Sequence, residues 1–293
     1  MDVKPKLYNH LSARDAEAHE APFADGRTRS MISRPTAIWR LLSYLGITLV
    51  CLPIQILLRR VAGPRVWEPF CTWYHRRAVA AFGVRVIEIG KKTATHPTLF
   101  VANHASYLDI ELLGSRIDGT FIAMEQVSQW PLFGLLSRLQ DSVFIDRQAK
   151  SIAAQQRQIT ERFDRGQNLI MFPEGASYTA THLLPFRSSL FAVAKHEVSG
   201  SPIAVQPVSI GFARLDGLPL GRNLRSYYGW YGEAPIDQHI VAAAVLGRLT
   251  VVMEWHPPKT LDDFQGSRKA LSAYCESCIK AGMARARSTA VSA

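Results

Sequence analysis

Two residues that could cooperate in proton transfer, His104 and Asp109, lie five positions apart. An apolar run predicts a strand ending near Ala102, and a helix is predicted from Ser106, so the pair brackets a strand-to-helix turn. Across such a turn the carboxylate can reach one imidazole nitrogen, which leaves the other nitrogen to take a proton from a hydroxyl group. Ser106 and Asp109 also match a capping box, a structural role that can coexist with orientation of the histidine.

Other polar or turn-forming residues follow further predicted strands. Phe-Pro-Glu-Gly places Glu174 and Gly175 at the end of an apolar strand, where ligands usually bind in open α/β sheets, although an ordinary turn with a solvated glutamate has the same pattern. Phe-Ile-Asp-Arg ends on Arg147, and Arg187 lies at the start of a predicted helix; both guanidinium groups suit phosphate, or are solvated surface charges. Pro207 interrupts another apolar strand, which predicts an edge position or a bulge.

The elements that must position these residues alternate between short apolar strands and amphipathic helices. This pattern predicts an α/β fold with a mixed sheet covered by helices. The predicted strands are residues 84–89, 98–102, 120–123, 143–145, 169–172, 204–210 and 249–255, and the predicted helices are residues 106–116, 131–139, 149–165, 188–197 and 267–286.

A different segment precedes the α/β region. Residues 41–58 contain no charge, and arginines flank them on both sides, at Arg34, Arg40, Arg59 and Arg60. Eighteen apolar residues are marginal for spanning a bilayer, and Pro53 should kink the helix. A buried core helix is the alternative. The segment favours attachment to a membrane, either spanning it or lying in its interface.

Composition limits the class of protein and its partners. Of 293 residues, 47% are apolar, which excludes a disordered chain, and four cysteines are too few for a disulfide scaffold. The 34 basic and 24 acidic residues give a net charge of +10, which indicates an anionic partner. Because the basic residues are spread along the chain rather than gathered in a module, phospholipid is favoured over nucleic acid.

The chain is therefore divided into four parts. We expect a flexible polar tail at residues 1–35, a membrane-associated helical segment at 36–80, an α/β domain at 81–286 and a frayed C-terminus at 287–293.

Taken in order, His-x4-Asp, Phe-Ile-x-Arg, Phe-Pro-Glu-Gly and the proline-containing strand are far more specific together than singly. With these motifs the chain resembles the 1-acyl-glycerol-3-phosphate acyltransferases, a group of the glycerophospholipid acyltransferases, over about residues 80–260. The resemblance implies acyl transfer from acyl-CoA or an acyl carrier protein to the sn-2 hydroxyl of 1-acyl-glycerol-3-phosphate. It implies no metal and no cofactor beyond the thioester, and an active site on the cytoplasmic side of the inner membrane.

The resemblance also implies roles for individual residues. His104 would be the general base, with Asp109 as its orienting carboxylate. The acceptor phosphate would bind Arg147 and, more weakly, Arg187. The remaining residues are assigned to substrate placement: Glu174 and Gly175 to the acceptor, and Pro207 with its neighbours to the acyl donor. Backbone N–H groups at the start of the helix after His104 are candidates to stabilise the tetrahedral oxyanion.

Two departures from the family pattern concern the acceptor. Many relatives carry a lysine shortly after the strand at residues 120–123, whereas this chain has Met124 and Glu125. The Phe-Ile-x-Arg block lacks its usual opening glycine and has Asp141 and Ser142 there instead. An acidic residue in this region weakens the assignment of 1-acyl-glycerol-3-phosphate, which stays the leading acceptor, and keeps open another lysolipid, such as the lyso form of ornithine lipid. A catalytically silent membrane-binding protein of the same fold is the remaining alternative.

Overall fold

A computed structural model describes the chain at residues 33–130, 132–145, 152–231 and 235–288. The α-helices are α1 (Arg34–Val61), α2 (Pro64–Ala81), α3 (Leu108–Gly114), α4 (Glu125–Ser128), α5 (Phe133–Leu139), α6 (Ile152–Asp164), α7 (Arg222–Ser226), α8 (Ile236–Val245) and α9 (Arg268–Ser288). The strands are β1 (Val84–Ile89), β2 (Thr98–Ala102), β3 (Gly119–Met124), β4 (Val143–Ile145), β5 (Asn168–Met171), β6 (Glu197–Val198), β7 (Ser201–Pro202), β8 (Ala204–Leu215), β9 (Leu218–Pro219) and β10 (Leu249–Trp255). A 3₁₀ helix covers Ser188–Lys195.

The predicted mixed sheet is confirmed. Its strand order is β1-β10-β8-β2-β5-β3-β4, with β9 paired to β8. Strands β8, β2, β5, β3 and β4 run parallel, whereas β10 is antiparallel to β8 and parallel to β1. The carboxyl ends of β2, β3, β4 and β5 therefore meet at one edge, so the residues that follow them lie close together.

Two apolar cores cover the two faces of this sheet. Successive side chains of a strand point to opposite faces, so β2 contributes Leu99 and Val101 to one core and Phe100 and Ala102 to the other. The core with Phe100 lies under α3 and α8, and the core with Leu99 lies under α6, α9 and the 3₁₀ helix. Helices on both faces bury the central strands completely, as expected for parallel strands.

The edge position predicted from Pro207 is wrong, because β8 lies between β2 and β10. The Pro207 carbonyl accepts a hydrogen bond from His256 N–H at 3.0 Å, so the N–H that proline lacks would point to the same side of the strand. The pairing on that side is irregular. Val205 pairs with Lys259 and Val208 with Trp255, so an interval of three residues on β8 lies opposite an interval of four residues on the chain after β10. A local bulge-like shift therefore accommodates the proline in a central strand.

Helix α1 has its polar and apolar faces reversed with respect to a water-soluble helix. Arg40, Thr48 and Gln55 are buried against the α/β domain, while the large apolar residues of the opposite face are exposed. These exposed residues are Ile38, Trp39, Leu42, Leu45, Leu49, Val50, Ile54, Leu57 and Val61. Within the described part of the chain, α1 is the one helix long and apolar enough to cross a membrane. The helix begins at Arg34, inside the segment expected to be tail, and continues through Pro53.

Helix α9 likewise continues to Ser288, two residues into the segment expected to be frayed. Cys275 on this helix is buried in the core with a free thiol, and Cys278 on the same helix is a free thiol too. Among the described residues, no group of three or more histidine, cysteine, aspartate or glutamate side chains is placed to hold a metal ion.

Candidate active site

The turn that carries His104 is anchored directly to the sheet. Strand β2 ends at Ala102, and α3 begins at Leu108. Between them, the Asn103 side chain donates to Ile210 O at 3.0 Å and accepts from Ile210 N–H at 2.8 Å, both on β8. This pair of bonds fixes the backbone immediately before His104 to the neighbouring strand.

His104 and Asp109 form the predicted dyad. His104 Nδ1 lies 3.0 Å from Asp109 Oδ2, and the aspartate side chain is fully buried. The same Oδ2 accepts the backbone N–H groups of Ala105 and Ser106, so Asp109 caps the turn and orients the imidazole at once. Since a buried carboxylate accepts from Nδ1–H, the proton-accepting nitrogen is Nε2.

This arrangement limits the backbone N–H groups that are free to stabilise the oxyanion. The amides of Ala105 and Ser106, the first candidates after His104, both donate to Asp109. Leu108 N–H lies 3.3 Å from Ser106 Oγ, and Asp109 N–H donates to Ser106 O. These four N–H groups are therefore engaged within the turn itself and do not face a reacting carbonyl.

Glu174 fixes the backbone of His104 through a buried hydrogen bond. It is 2% exposed; Oε1 accepts His104 N–H and Oε2 accepts Leu184 N–H, each at 2.7 Å. Burial raises the pKa of Glu174 to about 8, although both N–H bonds act in the opposite direction. Glu174 borders neither cavity of the site, and its hydrogen bonds are to the backbones of His104 and Leu184.

An aromatic side chain also stacks on one face of the His104 imidazole. Phe172 stacks on it with ring centroids 4.1 Å apart and planes at 16°, and Tyr178 N–H donates to His104 O at 3.0 Å. His104 is thus held at Nδ1, at its N–H, at its carbonyl and at one ring face. Its Nε2 has no hydrogen bond to any described residue, and the side chain is 19% exposed.

His104 lies where two cavities meet. The larger cavity, of about 350 Å³, lies at the carboxyl ends of β2 to β5 and is bordered by Gly175 and Arg187. The smaller cavity, of about 140 Å³, extends from His104 between α1, α2, α3 and α5 and is lined mainly by apolar side chains. A base at this junction can act on a molecule whose polar part and apolar part occupy different cavities.

The structure brings some predicted residues together and separates others. Gly175 borders the larger cavity in a left-handed conformation with φ 72°, which glycine adopts without strain. Arg187 borders the same cavity just before the 3₁₀ helix, and its N–H donates to Pro173 O at 3.0 Å. Pro207 lies in the sheet and borders neither cavity. Arg147 lies outside the described residues.

Sequence reasoning missed the aromatic wall opposite His104. Trp230 borders both cavities, donates its N–H to Ala105 O at 2.7 Å and accepts Ser177 Oγ–H at 2.6 Å through its carbonyl. Trp130 packs edge-on against it, with ring centroids 5.3 Å apart. The sequence signal for this wall is the aromatic run Tyr-Tyr-Gly-Trp-Tyr at residues 227–231. In the structure its Gly229 packs closely on Tyr178 O, which would lie 2.9 Å from a Cβ at this position.

Comparisons with known proteins find acyltransferases. The model of the acyltransferase family matches residues 83–211. The lyso-ornithine lipid O-acyltransferase of Rhizobium meliloti (strain 1021) is 36% identical over 71% of this chain and 73% of its own length. The protein of that name from Rhodobacter capsulatus is 34% identical over 75% and 78%. The 1-acyl-sn-glycerol-3-phosphate acyltransferase of Neisseria gonorrhoeae is 34% identical over 41% of this chain and 51% of its own length.

The fold has a counterpart among solved structures. The crystal structure of the 1-acyl-sn-glycerophosphate acyltransferase of Thermotoga maritima superimposes with a TM-score of 0.62, covering 86% of this chain and 98% of the other. The two sequences are 20% identical, so this likeness concerns the fold.

Proposed function

Since the chain belongs to the glycerophospholipid acyltransferase family and is an O-acyltransferase of lysolipids, we propose that it acylates lyso-ornithine lipid, with His104 as general base. The family resemblance drawn from the motifs is confirmed. The observation that carries the proposed chemistry is the Nε2 of His104, which makes no hydrogen bond to a described residue and lies where the two cavities meet.

The proposed reaction is a single displacement. Nε2 of His104 takes the proton of the acceptor hydroxyl while the hydroxyl oxygen attacks the thioester carbonyl, and Asp109 stabilises the imidazolium that forms. The tetrahedral intermediate collapses with loss of the thiolate, which receives the proton from His104. The reaction requires the thioester, on CoA or on a carrier protein, and no metal or further cofactor.

The charges around the larger cavity support an ornithine headgroup over a phosphate. Arg187 is the only lysine or arginine among the described residues that border this cavity. Glu125 at the start of α4 does not border the cavity, and its Oε1 accepts Ser128 Oγ–H at 2.8 Å. One arginine suits the single carboxylate of an amino-acid headgroup, whereas a phosphate monoester favours several cations.

The smaller cavity is assigned to a fatty acyl chain. Its walls include Leu52, Phe70, Phe133, Leu136 and Ile236. Because it opens at His104 and extends to the buried face of α1 at Thr48 and Gln55, an acyl chain in it would run from the reacting atoms to the inner side of that helix.

The acceptor is tested with purified protein and a panel of lysolipids. We expect transfer to lyso-ornithine lipid with a higher kcat/KM than to 1-acyl-glycerol-3-phosphate, with CoA and carrier-protein thioesters as separate donor arms. The second candidate, favoured by the Neisseria relative, is 1-acyl-glycerol-3-phosphate. A clear preference for that acceptor overturns the ornithine proposal and leaves the general-base chemistry in place.

Arg187→Ala should weaken binding of the acceptor and leave binding of the donor unaffected. A charge-assisted hydrogen bond to an anionic headgroup contributes about 1.5–3 kcal/mol, so we expect the acceptor KM to rise at least about tenfold. The measurement is steady-state kinetics at saturating donor. Lys195→Ala, which removes an exposed cation from the other end of the same 3₁₀ helix, is the matched control. Equal KM values in both variants contradict a role of Arg187 in acceptor binding.

We further propose that α1 lies along the membrane interface, with the active site on the cytoplasmic side. The helix contacts the domain along most of its length: Arg40 donates to Ala244 O and Gly247 O near its start, and Arg59 forms a 2.9 Å ion pair with Asp141 near its end. If the helix spanned the bilayer, its polar side chains would lose these partners and would lie unpaired in the lipid core. An interfacial helix keeps them and places only its apolar face in lipid.

Leu42→Asp combined with Leu49→Asp should release the protein from membranes. Both side chains are about 60% exposed on the apolar face of α1, at 60% and 61%. Moving a leucine side chain out of an apolar phase costs about 1.5–3 kcal/mol, so two changes reduce partitioning roughly a hundredfold or more. Sedimentation with anionic vesicles measures this. Gln156→Asp with Gln158→Asp, two exposed positions on α6, adds the same charge as a control. Unchanged sedimentation of the leucine variant contradicts the lipid-facing assignment.

A further inference from the structure

A second histidine–carboxylate pair is buried beside the first. His75 on α2 lies with Nδ1 2.7 Å from Oε2 of Glu111 on α3, and the two residues are 5% and 8% exposed. Both border the smaller cavity, which also reaches His104. The proposed reaction uses neither residue, yet two ionisable groups in a cavity lined mainly by apolar side chains need a reason to be there.

The pair is the centre of a hydrogen-bonded cluster that joins four parts of the fold. His75 Nε2 lies 3.0 Å from Gln140 Oε1, just after α5. On the other side, Tyr44 on α1 donates to Glu111 Oε1 at 3.2 Å, and Tyr74 on α2 donates to Tyr44 at 3.3 Å. Both oxygens of Glu111 and both nitrogens of His75 are therefore engaged. A buried network in which each of these atoms has a polar neighbour at hydrogen-bonding distance fixes the relative positions of its members.

Glycine brings the two helices close at this point. A Cβ at Gly114 on α3 would lie 2.5 Å from Cδ2 of His75, so only the absence of a side chain lets the imidazole lie on the helix. The ring thus contacts α3 at Gly114 and hydrogen-bonds it at Glu111, one turn apart on the same helix. Helix α3 is held by α2 with little freedom to shift.

The position of α3 sets the position of Asp109. The helix has seven residues, and Asp109 and Glu111 both lie in its first turn. Asp109 Oδ2 accepts three hydrogen bonds in the turn, while its Oδ1 is buried without a partner in the described structure, so no other side chain holds this carboxylate in place. A movement of a few tenths of an ångström at Glu111 would displace Asp109 relative to His104 Nδ1.

We propose that His75 and Glu111 are positioning residues for catalysis, which transmit the packing of α1 and α2 to the His104–Asp109 dyad through α3. They do not touch the reacting atoms. Their contribution is to keep the Asp109 carboxylate at hydrogen-bonding distance from His104 during turnover. The inference rests on the general-base role of His104 proposed above.

The test compares Glu111→Gln with a matched buried carboxylate. Glu68→Gln, on α2, changes a 9% exposed glutamate that accepts a 2.7 Å hydrogen bond from Gln167, and Glu68 has no hydrogen bond to a described residue of α3. With purified protein in lipid and a lysolipid acceptor, we expect Glu111→Gln to lower kcat about tenfold with both KM values within about twofold of wild type. Glu68→Gln should leave kcat unchanged at a similar melting temperature.

Two further variants separate positioning from stability and from binding. His75→Ala should lower kcat at least as much as Glu111→Gln, and His75→Asn, whose amide can still donate to Glu111, should recover most of it. The inference is overturned if Glu68→Gln loses as much kcat as Glu111→Gln, if His75→Asn recovers nothing, or if KM rises while kcat stays constant. Normal turnover by His104→Ala would instead refute the proposed chemistry, so the two failures are distinguishable.

Discussion

His104→Ala should lower kcat by about 10²–10⁴-fold, because a positioned general base typically contributes that much to the rate. Folding and membrane binding should be retained. The change removes the stacking on Phe172 and one of three hydrogen bonds to Asp109 Oδ2, while the N–H donors of Ala105 and Ser106 keep the aspartate capped. Kinetics with lyso-ornithine lipid, melting temperature and vesicle sedimentation measure the three expectations.

His196→Ala is a closely matched control for this variant. His196 Nε2 lies 2.7 Å from Asp164 Oδ1, and its ring stacks on Phe163 with planes at 18°, so the same kinds of contact are lost. His196 borders neither cavity, and its loss should not change kcat. Turnover of His104→Ala close to that of His196→Ala would exclude His104 as the base.

The parts of the site that lie close in sequence could be predicted from sequence. Apolar runs of three to seven residues between turns gave β2, β4 and β10 with the observed bounds. The His104–Asp109 contact followed from one strand-to-helix turn, because its geometry is local. The predicted helix at 106–116 is shorter in the structure, since Asp109 binds the preceding amides and the regular helix begins only at Leu108.

Contacts between distant segments were not predictable in the same way. The family resemblance implied that Glu174 helps to place the acceptor, and it did not show that the parallel pairing of β2 with β5 brings Glu174 to the His104 backbone, 70 positions earlier in the chain. Trp230 reaches the site from a segment with no regular periodicity. The hydropathy of α1 indicated a membrane, yet no single-sequence pattern showed that Arg40, Thr48 and Gln55 would face the domain.

Glu174→Gln should reduce both stability and turnover. The two oxygens of the Glu174 carboxyl group accept N–H groups from His104 and Leu184, whereas an amide offers one acceptor oxygen, so one N–H would meet the NH₂ group of glutamine. A buried donor left without an acceptor costs about 1–3 kcal/mol. Because one of the two donors is the His104 backbone, we expect kcat to fall about tenfold as the imidazole is displaced.

The same variant should change how stability depends on pH. Burial raises the folded-state pKa of Glu174 to about 8, from a value of 4.5 when exposed, so the folded state binds this proton more tightly than the unfolded state. The contribution of Glu174 to stability is therefore full below pH 4.5 and is lost as pH rises through about 8. The difference in melting temperature between wild type and Glu174→Gln should shrink as pH rises from 5 to 9.

Glu276→Gln is the control for the loss of a glutamate that accepts a backbone N–H group outside the active site. Glu276 Oε2 accepts Phe186 N–H at 2.9 Å, is only partly buried, and lies outside both cavities. Its replacement should leave kcat unchanged, and its melting temperature from pH 5 to 9 is the reference against which the Glu174→Gln profile is compared. If the melting temperatures of Glu174→Gln and wild type differ by the same amount at every pH from 5 to 9, the carboxyl of Glu174 is ionised throughout and its buried charge is stabilised by the two N–H groups. If kcat is also unchanged, the His104 backbone does not depend on Glu174 for its position.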